Sequence, residues 1–143
     1  MFVGVDGCKK GWVKVGLTEG DKWEVEIFPD INSLWNESKQ ASLILIDTPI
    51  GLRESGFEER RCDKKAREML GPKRGSSVFP APCRRALDAS NYEQACQINK
   101  QMTGRKLSLQ TWNIVPKIRE VNDLLQNNEI ARSHIRETHP EVC

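Results

Sequence analysis

A chain of 143 residues with a formal net charge of +2 is long enough for one domain with one core, and its charge alone identifies no partner. No stretch approaches the ~18 consecutive apolar residues of a membrane span. The opening MFVGVD has no basic start, so no signal peptide is predicted. The five cysteines form no CxxC pair, and we interpret them as reduced, mostly packing residues of a cytoplasmic protein.

The first third of the chain predicts three antiparallel strands. FVGVD, GWVKVGL and KWEVEIF are short apolar or alternating segments, and the intervening GCKKG and TEGD contain glycines typical of hairpin turns. The third segment alternates most regularly, because Trp23, Val25 and Ile27 fall on one face while Glu24 and Glu26 fall on the other.

A short helix and a fourth strand are predicted next. In PDINSLWNESK, Asp30 or Asn32 is a candidate N-cap for a helix that contains Leu34 and Trp35. The run LILI is typical of a strand buried on both faces, and it ends at Asp47 before Thr-Pro-Ile-Gly. A helix between the third and fourth strands lets the fourth lie parallel to the first.

From residue 57 to about residue 128 the pattern becomes helical. The segments FEERRCDKKAREMLG, NYEQACQINKQMTG and SLQTWNIVPKIREVNDLLQNN predict three helices, with Pro116 kinking or splitting the third. Their predicted apolar faces contain Phe57, Cys62, Ala66, Met69 and Leu70, then Tyr92, Ala95 and Cys96, then Leu109, Trp112, Ile118, Val121 and Leu125. The closing SHIRETHPEVC predicts a last strand.

Two aspartates stand at corresponding places in the first and fourth strands. If those strands are parallel neighbours, the carboxylates of Asp6 and Asp47 lie close together at one end of the sheet, where a divalent cation relieves their repulsion. Oxygen ligands favour Mg²⁺ or Mn²⁺ over zinc, and Glu137 or Glu141 of the last strand is the candidate third ligand. Such sites activate water for attack on phosphate. The alternative is that each aspartate only caps a turn.

Cations concentrate between Arg60 and Arg85, in RRCDKKAR and GPKRGSS…CRR. This run is typical of a solvated helix surface, and the alternative is a patch that contacts phosphates. Lys117 and Glu120 have the i,i+3 spacing of a surface ion pair, or else border a cleft. His139 is interpreted as a structural histidine, or as a group that orients water or contacts phosphate.

Six blocks of the sequence carry a resemblance to a known family. VGVDGCKKGWV, LILIDTPIGL, RRCDKKAREMLG, SSVFPAPCR, Q…IVPKIREVNDLL and ETHPEV occur in order through nearly the whole chain. Together they resemble the family called domain of unknown function 429, whose members are predicted nucleases with an RNase-H-like fold. The family opening Gly-Cys-Lys-Gly-Gly-Trp differs here at Lys10.

The resemblance implies an α/β fold with an RNase-H-like mixed sheet of strand order 3-2-1-4-5. It implies a single domain over residues 1–143, with residues 57–128 as a helical insertion or cap after the fourth strand. It implies a nuclease that uses Mg²⁺ or Mn²⁺ and acts on nucleic acid. The site residues it implies are Asp6, Asp47 and Glu137 as catalytic metal ligands, with Glu141 as a weaker ligand, and Arg60, Arg61, Arg84, Lys117 and His139 near the substrate.

One departure from the resemblance concerns the end of the chain. Related chains continue past ETHPEV, and in RNase-H-like enzymes the helix after the fifth strand supplies another metal ligand. One interpretation is a shortened gene product or an expressed fragment that keeps the fold and binds nucleic acid without cutting it. Another is a homodimer in which the terminal strand pairs with a partner chain. The nuclease stays the leading hypothesis. An ATP-binding phosphotransferase of the actin or sugar-kinase type is a further alternative, because VDGCKKGW resembles the hairpin of those proteins near phosphate.

Overall fold

The computed structural model describes residues 1–20 and 22–142, and within them five strands form one mixed sheet. The strands are β1 (Phe2–Cys8), β2 (Gly11–Leu17), β3 (Trp23–Phe28), β4 (Leu43–Ile46) and β5 (Ile135–Glu137). The helices are α1 (Ile31–Ser38), α2 (Arg61–Arg74), α3 (Tyr92–Thr103), α4 (Leu109–Asn127) and α5 (Glu129–His134), with short 3₁₀ turns at Gly75–Ser77 and Arg84–Asp88.

The sheet order β3-β2-β1-β4-β5 confirms the predicted topology. β1, β2 and β3 are antiparallel neighbours, whereas β4 runs parallel to β1, and β5 runs parallel to β4. Helix α1 connects β3 to β4, and Asp30 caps it by accepting the backbone N–H of Ser33 at 2.8 Å. The meander, the cap and the parallel fourth strand are therefore those that the sequence predicts.

The chain divides into two compact units. Unit 1 comprises Met1–Ile50 and Arg119–Thr138, and unit 2 comprises Gly51–Ile118 and the residues from His139 onward. Helix α4 contributes residues to each unit and is continuous across Pro116. That residues 57–128 form an insertion into a single domain stays a prediction.

Unit 1 buries one face of its sheet. Its core contains the strand residues Val3, Val5, Trp12, Ile44, Ile46 and Ile135 against the helix residues Ile31, Leu34, Trp35, Val121, Leu124, Leu125 and Ala131. The prediction that β4 is buried on both faces is wrong, because Leu45 is 37% exposed on the face opposite this core. A continuous apolar run in a strand indicates burial on both faces only where other elements pack on both faces of the sheet.

Gly11 begins β2 and fixes the geometry of the β1–β2 hairpin. It has φ = 128°, a conformation that L side chains rarely adopt, and a Cβ built on it would lie 2.0 Å from the carbonyl oxygen of Phe28. The close approach of the β3 end to this position therefore requires glycine.

Unit 2 has its own core, which contains Leu52, Leu87, Ala89, Ala95, Cys96, Leu107, Val115 and Ile118. The predicted apolar face of its first helix is wrong: α2 begins at Arg61, Phe57 is 76% exposed, and Met69 and Cys62 are also exposed. Ala66 is buried as predicted, and Asp63 is buried with it, because an ion pair with Arg60 allows Asp63 to enter the interior. The placement of Leu109 in a buried stripe is likewise wrong, because its side chain is exposed.

The predicted last strand is shorter than SHIRETHPEVC indicates. Asn128 caps α5 by accepting the N–H of Ala131 at 2.9 Å, so Ser133 and His134 are helical. β5 ends at Glu137, and Pro140, which cannot donate to a ladder, lies in the turn that follows.

The described cysteines Cys8, Cys62, Cys83 and Cys96 are free thiols. The predictions that involve Cys143, and Asp21 in TEGD, lie outside the described residues. Within the part of the chain that the structure describes, no helix combines the length and the apolar character that crossing a membrane requires.

Candidate metal centre

Asp6 and Asp47 are neighbours at the end of the parallel β1–β4 pair. The register runs from Phe2↔Leu43 to Val5↔Ile46, and the N–H of Asp47 donates to the carbonyl of Val5 at 3.0 Å. The next row of the sheet is therefore Asp6 beside Asp47. Because paired residues on adjacent strands point to the same face, both carboxylates lie opposite buried Val5 and Ile46, and both are exposed.

The local sequence keeps this row accessible. Asp6 is exposed, and its carboxylate accepts the N–H of Gly7 at 2.7 Å. After Asp47, the buried Thr48 donates its hydroxyl to the Asp47 carbonyl at 2.7 Å and begins the turn that ends the strand. The two carboxylates thus lie on an exposed face at the carboxyl ends of parallel strands, where ligands of open α/β sheets commonly bind.

The electrostatics of this row suit a small divalent cation. Adjacent strands are about 4.8 Å apart, so two ionised carboxylates in one row repel each other. Exposed carboxylate oxygens are hard ligands of the kind that Mg²⁺ and Mn²⁺ prefer, and Mg²⁺ usually keeps several waters beside one or two carboxylates. The donor set of Asp6 and Asp47 therefore fits such an ion.

The structure brings Asp6 and Asp47 together and keeps Glu137 apart from them. Glu137 pairs with Ile46, so it shares the face of the core rather than that of the two aspartates. Its Oε2 accepts the N–H of Ile50 at 2.8 Å, which ties the segment after Asp47 to β5. Among residues 1–20 and 22–142, Asp6 and Asp47 belong to no group of three carboxylate, thiol or imidazole ligand atoms within 4.8 Å of one another.

The two candidates beyond β5 belong to unit 2. The Nε2 of His139 lies 3.7 Å from Oδ1 of Asp63, and its carbonyl accepts the N–H of Val142 at 2.9 Å. Glu141 is exposed in the turn that follows β5. These contacts make His139 part of the surroundings of a buried carboxylate.

The three predicted substrate-binding arginines occupy different environments in unit 2. Arg60 is only 9% exposed, and it contacts Asp63 through Nε–Oδ2 at 2.9 Å and Nη2–Oδ1 at 2.5 Å. Arg84 pairs with Glu54 at 2.6 Å and donates to the carbonyl of Leu52 at 2.9 Å. Arg61, by contrast, is exposed at the start of α2.

Helix α2 presents a basic surface that includes Arg61. Its exposed cations are Arg61, Lys64 and Lys65 in the regular helix, and Lys73 and Arg74 after Gly71, whose φ of 68° and ψ of −176° break the helix before Pro72. Among the ion pairs of the described residues, the only carboxylate paired with any of these five is Glu68, which lies 3.6 Å from Lys65. We call these five residues the α2 basic surface.

Glu120 has a structural role that its spacing from Lys117 does not reveal. Within unit 1, its Oε2 accepts the Nε1–H of fully buried Trp12 at 2.7 Å and the N–H of Ile31 at 3.1 Å. The second contact places a negative charge at the N-terminus of α1, where the helix dipole favours it. No local pattern could have shown this, because Trp12 is 108 positions away.

A cavity of about 110 Å³ lies within unit 2. Pro80, Pro82 and Leu107 form part of its apolar wall, and the Arg60–Asp63 pair forms part of its polar wall. Sequence patterns do not reveal it, because its lining comes from segments around residues 53–63, 80–83 and 99–108.

Glu59, also in the cavity lining, has a perturbed carboxyl. Its hydrogen bond from Arg67, at 2.7 Å, lowers its pKa; burial opposes this, and the charges of Arg67 and Arg105 add to the lowering. The net result is a pKa below the usual 4.5.

Comparison with known proteins identifies one family. A family model described as protein of unknown function (DUF429) matches residues 4–143, nearly the whole chain. No match was found among curated proteins or among solved structures.

Proposed function

The chain belongs to the DUF429 family of unknown function, and from the geometry of its sheet we propose that it is a metal-dependent nuclease. The observation that carries the proposal is the row formed by Asp6 and Asp47, two exposed carboxylates on adjacent parallel strands and on one face. In this role the two carboxylates bind Mg²⁺ or Mn²⁺. Glu137, Glu141 and His139 stay predictions as additional ligands or substrate contacts.

A bound divalent ion in such a site neutralises charge on a phosphodiester and supplies an activated water for hydrolysis. The contribution of this chain is to hold two oxygen ligands at a fixed spacing on a rigid sheet. The hydrogen bond from Ile50 to Glu137 restrains the segment that follows Asp47, so Glu137 also serves as a positioning residue.

The direct test measures cleavage of labelled RNA, DNA and RNA–DNA hybrid in Mg²⁺ or Mn²⁺. Asp6→Asn and Asp47→Asn are expected to lower the rate by on the order of 100-fold or more, because each removes a charged ligand. Asp123→Asn is the matched control, since Asp123 is exposed on α4 in the same unit. Absence of cleavage, together with a melting temperature unchanged by either metal, would overturn the proposal.

A second candidate function is nucleic-acid binding without catalysis, and the α2 basic surface favours it. The five exposed cations of Arg61–Arg74, three before the break at Gly71 and two after it, are suited to backbone phosphates, which give affinity without sequence selectivity. In this case Asp6→Asn retains full binding, and the dissociation constant rises steeply with salt.

The second candidate is tested by charge reversal on α2. Lys64→Glu with Lys65→Glu is expected to weaken binding and to reduce the slope of log affinity against log salt by about 1 for each phosphate that the variant no longer neutralises. Lys22→Glu with Lys39→Glu, two exposed lysines of unit 1, is the charge-matched control. Equal effects of the two changes would exclude a specific role for α2.

A further inference from the structure

Unit 1 exposes large apolar side chains across the face of the sheet that its helices do not cover. Register aligns them in rows: Trp23, Leu17 and Phe2 form one row, and Val25, Val15, Gly4 and Leu45 form the next. The exposed fractions are 71% for Trp23, 58% for Phe2, 56% for Ile27, 52% for Val25, 45% for Leu17, 44% for Val15 and 37% for Leu45. We call these seven residues, with Gly4, the apolar sheet face.

The size of this face matches what one partner contributes to a dimer. Scaled to ordinary side-chain areas, the exposed fractions amount to roughly 600–700 Å² of contiguous apolar surface, above the about 300–600 Å² of the largest patch on a typical monomer. A standard interface buries about 800 Å² per partner, and homodimer interfaces are about 65% apolar, which requires roughly 500 Å² of apolar surface.

The face also carries a projection and a depression that suit a second copy. Phe2 is a large exposed ring, and a Cβ added to Gly4, two residues along the same strand and on the same face, would meet nothing within 4 Å. Consider a two-fold axis that lies in the interface above Val3 and perpendicular to β1. This axis places Phe2 of the first copy over Gly4 of the second, and Phe2 of the second copy over Gly4 of the first. Such reciprocity is what an isologous interface requires.

We propose that the apolar sheet face is the interface between two copies of this chain, stacked face to face with their β1 strands antiparallel. The same axis sets the Trp23–Leu17–Phe2 row of each copy over the Val25–Val15–Gly4–Leu45 row of the other. Asp6 and Asp47 lie one row further along, at the rim, in the row that also contains Ile27. The two rows that the axis superposes contain neither aspartate, so the interface does not depend on the proposed metal site.

The test measures the mass of the 143-residue chain by sedimentation velocity and light scattering, from low micromolar to about 100 µM. The wild type is expected to be a dimer. Gly4→Lys places a charge at the centre of the face, where the open space accepts the side chain without disturbing the fold. This variant is expected to weaken dimerisation by at least 100-fold while leaving the far-UV circular dichroism unchanged.

Two further variants complete the experiment. Gln126→Lys, an exposed change on α4, is the matched control and is expected to remain dimeric. Val25→Lys on β3 repeats the test should Gly4→Lys fail to fold. A monomeric wild type overturns the proposal, and so does a dimer that persists in both face variants. If such a persistent dimer is lost in Arg136→Pro, the dimer interface is the terminal strand β5 rather than the apolar sheet face. Cleavage activity is not part of the measurement, so failure here is distinct from failure of the nuclease proposal.

Discussion

The two units treat carboxylates in opposite ways. In unit 2, Asp63 is 1% exposed, and both of its oxygens receive N–H groups of Arg60. In unit 1, Asp6 and Asp47 are exposed side by side on one face of the sheet. A buried charge must find its counter-charge within the chain, whereas an exposed pair of like charges can take one from solution. The first arrangement is therefore structural, and the second is suited to binding.

The largest expected effect comes from breaking the buried pair. Arg60→Met leaves Asp63 buried without the guanidinium and should lower the free energy of unfolding by about 3–5 kcal/mol. Urea denaturation measures this. Lys65→Met, which removes an exposed ion pair on the neighbouring helix, should cost at most about 1 kcal/mol.

The double variant Arg60→Met with Asp63→Leu sharpens this result, because it replaces both charges by apolar groups and should recover much of the loss. If Arg60→Met were no more harmful than Lys65→Met, the buried pair would not be the structural element that distinguishes unit 2.

The next largest loss of stability should come from Glu120, a carboxylate of unit 1 that accepts hydrogen bonds within the fold. Glu120→Leu leaves the buried Nε1–H of Trp12 without this acceptor and should cost about 1–3 kcal/mol of unfolding free energy, measured by urea denaturation. Glu120→Gln retains an acceptor oxygen and should cost less. Similar losses for both would show that charge at the start of α1, rather than the indole contact, is what matters.

Removing one of the exposed aspartates should have a small effect of opposite sign. Without divalent ions, Asp6→Asn is expected to raise the free energy of unfolding by up to about 1 kcal/mol, because it ends the repulsion within the row. In millimolar Mg²⁺ the wild type should gain stability and the variant should not, as measured by thermal melting. A clear destabilisation by Asp6→Asn in the absence of metal would show that Asp6 is structural, as Asp63 is in unit 2.

The smallest effect should come from Glu59, a partly exposed carboxylate in unit 2. Because its folded pKa lies below the unfolded value near 4.5, Glu59 stabilises the fold above that pH, and this contribution disappears as the pH falls through the folded pKa. Urea midpoints at neutral pH and at pH values below 4.5 should differ less for Glu59→Gln than for the wild type. An identical pH dependence in the two proteins would remove Glu59 from the stabilising ion pairs.

The features that the sequence predicted well are those with local causes. Alternation and glycine placement predicted the β1–β3 meander, Asp30 marked the start of α1, and the intervening helix predicted that β4 lies parallel to β1. The row of Asp6 and Asp47 followed from that topology, because both residues sit at the ends of neighbouring strands.

The sequence-based predictions failed where an ion-pair partner or the end of a helix reversed which side chains face the core. Arg60 draws Asp63 inward, so Cys62 and Met69, which were expected on the inward side of α2, are exposed. Phe57 is exposed before α2 begins. The face of Glu137 depends on where α5 ends, because side chains alternate along a strand and a shift of one residue moves each to the other face. Neither effect has a signature in local periodicity.

Gly11 has a consequence for the evolution of the candidate site. With the carbonyl of Phe28 so close, this position tolerates neither a side chain nor a displaced backbone, and the hairpin from Cys8 to Gly11 is thereby held to a two-residue turn. An insertion or deletion of one residue there would shift β1 against β2 and turn the side chains of one of the two strands to the opposite face. If β1 were the strand that turned, Asp6 would point into the hydrophobic core. Variation in the length of this loop should therefore be under strong purifying selection in any descendant that keeps the carboxylate row, even though the loop itself carries none of its ligands.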